Sequence, residues 1–132
     1  MTSVCCDKWT AHSATSAHVD LGIDNNGTWQ DAFQFGEPDD TTWTLIGQTF
    51  EADVKLSPYG ISLLSLTTAN GRILVDDTIQ RVIHFNVAPD ILQASLKPGE
   101  YVYDLVMVNG SNVRVPLMHG TLCIGQGVTY TP

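Results

Sequence analysis

PGEYVYDLVMVNGSNVRVPLMHGTLCIGQGVT, residues 98–129, decides the fold. From Glu100 to Val108 the side chains alternate: Tyr101, Tyr103, Leu105 and Met107 share one side, and Val102, Asp104, Val106 and Val108 share the other. A period of two over nine residues predicts a long strand. The run breaks at Asn109-Gly110-Ser111-Asn112, where Asn-Gly tolerates the positive backbone angles of a tight hairpin turn. Val113, Val115 and Leu117 then resume the alternation, and Leu122, Ile124 and Val128 continue it after His119-Gly120. The C-terminal third reads as a β-meander with no catalytic signature.

The rest of the composition agrees. The 132 residues, 43% of them hydrophobic, suffice for one domain with a core and are too few for two ordinary ones. Eleven glycines, six prolines and a charged fraction of only 15% favour strands and turns over helices. The expected fold is all-β, an antiparallel β-sandwich of Ig-like or meander type, with an N-terminal arm over residues 1–17 and a single domain over residues 18–132. One short helix is expected near residues 88–97: Pro89 suits a first helical turn, Asp90 complements the helix dipole, and Ile91, Leu92 and Leu96 form an apolar stripe.

Charge and cysteine usage exclude several function classes. A net charge of −8, from 14 acidic and 6 basic residues, comes with no Lys/Arg cluster that could displace counterions from nucleic acid. No apolar run reaches the ~20 residues of a membrane span. MTSVCCDKW lacks the basic start and apolar core of a signal peptide, so synthesis in the cytoplasm is expected. Cys5, Cys6 and Cys123 do not form an even, spaced disulfide set, and Cys123 is expected to be a small core hydrophobe. Cys5, Cys6, His12 and His18 invite a zinc reading, but adjacent cysteines seldom reach one tetrahedral centre, and no metal or cofactor is expected.

Taken in order, the arm is polar and would be ordered only by something packed on it. Val19, Leu21 and Ile23 mark a first strand that ends in a hairpin turn at residues 24–27; no ligand-bearing residue precedes Asp24 in the spacing a calcium loop needs. Trp29, Phe33 and Phe35 carry the next strand. After a polar loop at residues 36–40, Trp43, Leu45, Phe50, Ala52, Val54 and Leu56 carry a strand pair or one long bent strand across Gly47. Residues 57–60 are a turn, 61–67 a strand, 69–71 a turn, 72–75 a short strand, and 79–87 another, with Ile79, Arg81, Ile83 and Phe85 on one side.

These residues also carry a family likeness. Gly27-Thr28-Trp29, Trp43-Thr44-Leu45-Ile46-Gly47, Asn70-Gly71-Arg72-Ile73, Ile83-His84-Phe85, Pro89-Asp90-Ile91-Leu92, Pro98 through Leu105, and Gly120-Thr121-Leu122 with Val128-Thr129 follow one another in an order that resembles a small β-sandwich domain. That domain is widespread among accessory virion proteins of tailed bacteriophages and prophages, and is similar to the N-terminal module of some upper-baseplate proteins. The likeness spans residues 19–129 and transfers no catalytic residue. It implies a non-enzymatic virion structural protein that docks onto tail, baseplate or fibre-attachment proteins through strand edges and its arm. Capsid decoration is the alternative, and homo-oligomerisation in the particle, without nucleic acid or membrane, is the expected partnership.

A second alternative is a carbohydrate- or receptor-binding module using Trp9, Trp29, Trp43 or Tyr59 as stacking platforms, although the apolar register of Trp29 and Trp43 favours the core for both. An enzyme is the weakest reading. His12, His18, His84 and His119 accompany no nucleophile motif, phosphate-cradling loop or metal-ligand cluster. Asp104 is expected opposite the tyrosines as a structural acceptor, with Tyr101 and Tyr103 at the core rim and their hydroxyls on water or backbone.

Overall fold

A computed structural model describes residues 16–35, 48–76 and 82–129. Among these residues nine strands and one helix follow in the order β1 Ala17–His18, β2 Leu21–Asp24, β3 Ala32–Gln34, β4 Thr49–Lys55, β5 Leu64–Thr67, β6 Ile73–Asp76, β7 Val82–Phe85, α1 Pro89–Ser95, β8 Gly99–Val108 and β9 Arg114–Gly125. They form a β-sandwich. The larger sheet runs β1-β9-β8-β4-β5, with β2 extending β1 along the same side of β9; the smaller runs β3-β7-β6.

The long hairpin expected at residues 98–129 is the spine of the larger sheet. Tyr101, Tyr103 and Leu105 are buried while Asp104 between them is exposed, as alternation requires. The turn forms, but its positive φ falls on Asn112 at 63° rather than on Gly110, because the Asn109 side chain caps the loop by accepting from the Ser111 and Val113 amides. In β9 the pairing slips: Leu105 faces Met118 and Val106 faces Pro116, leaving Leu117 as the extra residue of a bulge. That residue flips the parity of the strand, so Met118, Leu122 and Ile124 fill the core.

Between the sheets, Trp29, Phe50, Phe85, Leu66 and Leu105 are each at most 1% exposed, and Trp29 and Phe33 meet Phe85 edge-on at centroid distances of 5.1 and 5.2 Å. Helix α1 starts on Pro89 and closes one end of the core with Leu92, followed by buried Leu96 beyond its C-terminus.

Four expectations are corrected. The turn at residues 24–27 is not a hairpin: β2 pairs in parallel with β9, and β3 belongs to the other sheet, so the chain crosses between layers there. Asn25 fixes the crossing, its amide donating to the Gly125 carbonyl and its side-chain oxygen accepting from the Gly127 amide. Residues 61–63 are not strand; β5 begins at Leu64, and Leu56 and Ile61 lie in solvent. Val128 is 94% exposed. Cys123 is an exposed free thiol on the outer face near Glu100, because the pleat that buries Leu122 and Ile124 turns the residue between them outward. Trp9, Trp43, Leu45, Cys5, Cys6, His12, Ile79 and Arg81 lie outside the described residues. Within the segment read as an arm, pairing begins at Ala17.

Candidate functional site

The outward positions of four adjacent strands line up. Register sets Asp53 on β4 against Asp104 on β8, Asp104 against His119 on β9, and His119 against His18 on β1. Because paired residues share a face, these four side chains form one transverse row on the solvent side of the larger sheet. A neighbouring row holds Lys55, Val102 and Thr121. The turn after β4 brings Pro58 against this surface, and together they enclose a groove of about 440 Å³ lined by His18, Asp53, Lys55, Pro58, Asp104 and His119, with Val102 and Thr121 on its floor. Gly120 contributes no side chain there.

The histidine end is built by the edge strand. The Asp20 carboxylate accepts from His18 Nε2 at 2.9 Å, from the Thr121 amide at 2.9 Å and from the Thr121 hydroxyl at 3.0 Å. These donors, led by the Thr121 amide, hold its pKa down at about 2. By occupying the Thr121 amide, Asp20 breaks the ladder between β1 and β2 and leaves the Val19 carbonyl turned inward. There it accepts the Tyr103 hydroxyl at 2.6 Å, and burial raises the pKa of that phenol. A Cβ on Gly120 would overlap the same carbonyl oxygen, so only glycine permits this approach. The His18 and His119 rings lie 5.1 Å apart, and Ser16 Oγ is hydrogen-bonded to His119 Nδ1 at 2.8 Å. Burial, and then the neighbouring His18, lower the His119 pKa.

The carboxylate end has the opposite character. Asp53 and Asp104 are like charges placed directly across a strand pair, an arrangement that ordinarily destabilises a sheet. Ser62 donates to Asp53 Oδ1 at 2.7 Å. Burial, and then the Asp53 charge, push the Asp104 pKa up, while Lys55, a hydrogen bond from the Asp53 backbone amide and then Arg114 draw it down. Arg114 is itself shared with Glu51 at 3.4 Å.

Of the residues singled out in the sequence, Trp29 is core, 1% exposed, and its indole nitrogen donates to Asp31 at 2.7 Å. Tyr59 is fully exposed. Tyr101 and Tyr103 are buried with their hydroxyls donating to the backbone carbonyls of Lys97 and Val19. His18 and His119 come together, while His84 lies on the smaller sheet near Asp76. Among the described residues no three His, Cys, Asp or Glu side chains converge on a point that could hold a metal ion, and no helix is long and apolar enough to cross a membrane. Sequence reading missed Asp53 and the groove; the only signal for Asp53 was its place between buried Ala52 and Val54, which turns it outward.

No protein-family model matches the chain, and no curated protein matches it in sequence. Among solved structures it is similar to CopC from Methylosinus trichosporium OB3b, at 10% identity over 88% of this chain and 89% of that one, with a TM-score of 0.43. It is also similar to extracellular domains 3–5 of Drosophila OTK, at 12% identity and a TM-score of 0.31, where 88% of this chain spans only 34% of the other.

Proposed function

We propose that the chain is a non-enzymatic structural component of a bacteriophage virion, made in the host cytoplasm, that docks onto tail or baseplate proteins. The observation that carries this reading is the loop between β4 and β5. Leu56 is 67% exposed, Tyr59 100% and Ile61 79%, so three large apolar side chains project from six consecutive residues at the mouth-forming turn of the groove. Single exposed hydrophobes are ordinary, but a cluster of this kind marks a surface that a partner covers. The resemblance of residues 19–129 to accessory virion domains supplies the setting.

On the larger sheet, docking by strand edges, as the resemblance implies, falls to the side away from β5. On β5 the outward groups are occupied from within: the Thr67 amide donates to Asn70 Oδ1, and the Ser65 carbonyl accepts from Asn70 Nδ2 and Arg72 Nη1. Such a self-capped edge resists strand addition. Capsid decoration uses the same loop and remains the alternative within the virion reading. Tyr59 favours the second reading, a carbohydrate- or receptor-binding module, because a fully exposed aromatic ring can stack on a sugar.

Quantitative mass spectrometry of purified particles tests the proposal. A few to a few dozen copies per particle support tail or baseplate, hundreds support capsid decoration, and absence from particles removes the virion reading in favour of the binding module.

A further inference from the structure

We propose that the groove on the outer face of the larger sheet receives an extended segment of a partner virion protein, which lays a lysine or arginine against the Asp53 and Asp104 pair and apolar neighbours against Val102 and the Pro58 loop. The inference deepens the docking function above and rests on it.

Charge selects the occupant. Two carboxylates set in register on neighbouring strands repel one another; among the described residues that line the groove Lys55 is the one full cation, and Arg114, shared with Glu51, acts on Asp104 from outside it. His18 is already engaged by Asp20. A basic side chain placed between Asp53 and Asp104 turns that repulsion into a pair of charge-assisted hydrogen bonds. The net charge of −8 over the whole chain steers a basic partner toward the same surface.

Shape selects the form of the occupant. A volume of about 440 Å³ is far larger than a lone cation needs and accommodates several side chains. Between its charged and imidazole groups the wall is mostly apolar, with Val102, Pro58 and Gly120, and the Thr121 hydroxyl on it already donates to Asp20. Such a wall suits the methylene stem of a lysine or arginine, which lies on apolar surface while its head reaches the carboxylates. Leu56, Tyr59 and Ile61, on the loop that carries Pro58, offer further apolar area to the residues flanking that side chain. A metal is a poorer fit, since the carboxylates and imidazoles are spread along the row rather than gathered on one point.

The test uses full-length chain in particles assembled with the D53N/D104N double variant, with D90N, at an exposed position of α1, as control. Both substitutions keep side-chain volume, and with the like charges removed the melting temperature of the double variant is expected to equal or exceed that of the parent. The expected result is a fall of at least about tenfold in copies per particle for D53N/D104N and none for D90N. Zero-length carbodiimide coupling in parent particles is expected to join Asp53 or Asp104 to a partner lysine where the partner supplies one. Parent-level occupancy of D53N/D104N overturns the proposal, as does occupancy that is lost only on chelation of divalent metal. Absence of the parent chain from particles overturns the virion reading itself, whereas its presence with unaffected D53N/D104N overturns this inference alone.

Discussion

The two faces of the larger sheet are built from the same strands and solve opposite problems. On β4, Phe50, Ala52 and Val54 are buried at 0–2% exposure, while Glu51, Asp53 and Lys55 between them face water. On β8 the same alternation separates Tyr103 and Leu105 from Asp104. The inner face is packed against a second sheet and is held by apolar area. Among the described residues the outer face has no such cover: side-chain hydrogen bonds order its histidine end, and two like charges meet at its aspartate end. One face stores the stability of the fold, and the other can carry recognition because changing it costs the fold little.

The contrast is tested most severely on the inner face. Phe50→Ala empties a fully buried site and is expected to destabilise the chain by about 3–5 kcal/mol in urea unfolding. Asp53→Asn, three residues along the same strand and on the other face, is expected to shift stability by no more than about 0.5 kcal/mol. Equal losses would abolish the distinction. Tyr103→Phe lies between these extremes: it keeps the buried ring and removes only the donor to the half-buried Val19 carbonyl, at a cost of about 0.5–1.5 kcal/mol. Amide exchange is expected to localise that loss to the β1 edge of the sheet.

Much of this division was legible in the alternation of residues 100–108, which assigned each side chain of β8 to its face, and in Pro89, which set the start of α1. Alternation also implied the outward position of Cys123 between Leu122 and Ile124; reading the thiol by residue type placed it in the core, and the pleat prevailed. The parallel pairing of β2 with β9 was not legible, because its register joins residues 101 apart, as Leu21 with Leu122, and local patterns name no distant partner. The groove shares that origin: Asp53, Asp104, His119 and His18 come from four strands and meet only through sheet order. The bulge at Leu117 and the early end of β4 were equally silent, since tertiary packing rather than propensity determines both.

Acid titration sharpens the comparison within the outer face, where the two ends are expected to respond with opposite sign. Folding lowers the His119 pKa below its ordinary 6.5, so protonation favours the unfolded chain and stability declines as pH falls below 6.5. The contribution of Asp20, whose folded pKa is about 2, persists down to its ordinary 3.8 and is lost as pH falls from there through about 2. His119→Gln is expected to flatten the first of these declines in melting temperature against pH.

At Asp104 the sign reverses. Its folded pKa stands above the ordinary 3.8 through burial and the charge of Asp53, so the folded state carries a penalty when Asp104 is ionised, and the penalty fades as pH falls through the folded pKa toward 3.8. Asp104→Asn is therefore expected to stabilise the chain at pH 7 by about 0.2–1 kcal/mol, the size of a cross-strand charge pair on a half-exposed surface. The gain should vanish in melts below pH 3.8, where the parent carboxyl is protonated as well. A loss of stability at pH 7 would mean that Asp104 is already balanced by Lys55 and Arg114, and the aspartate end of the face would then have no unmet charge to offer a partner.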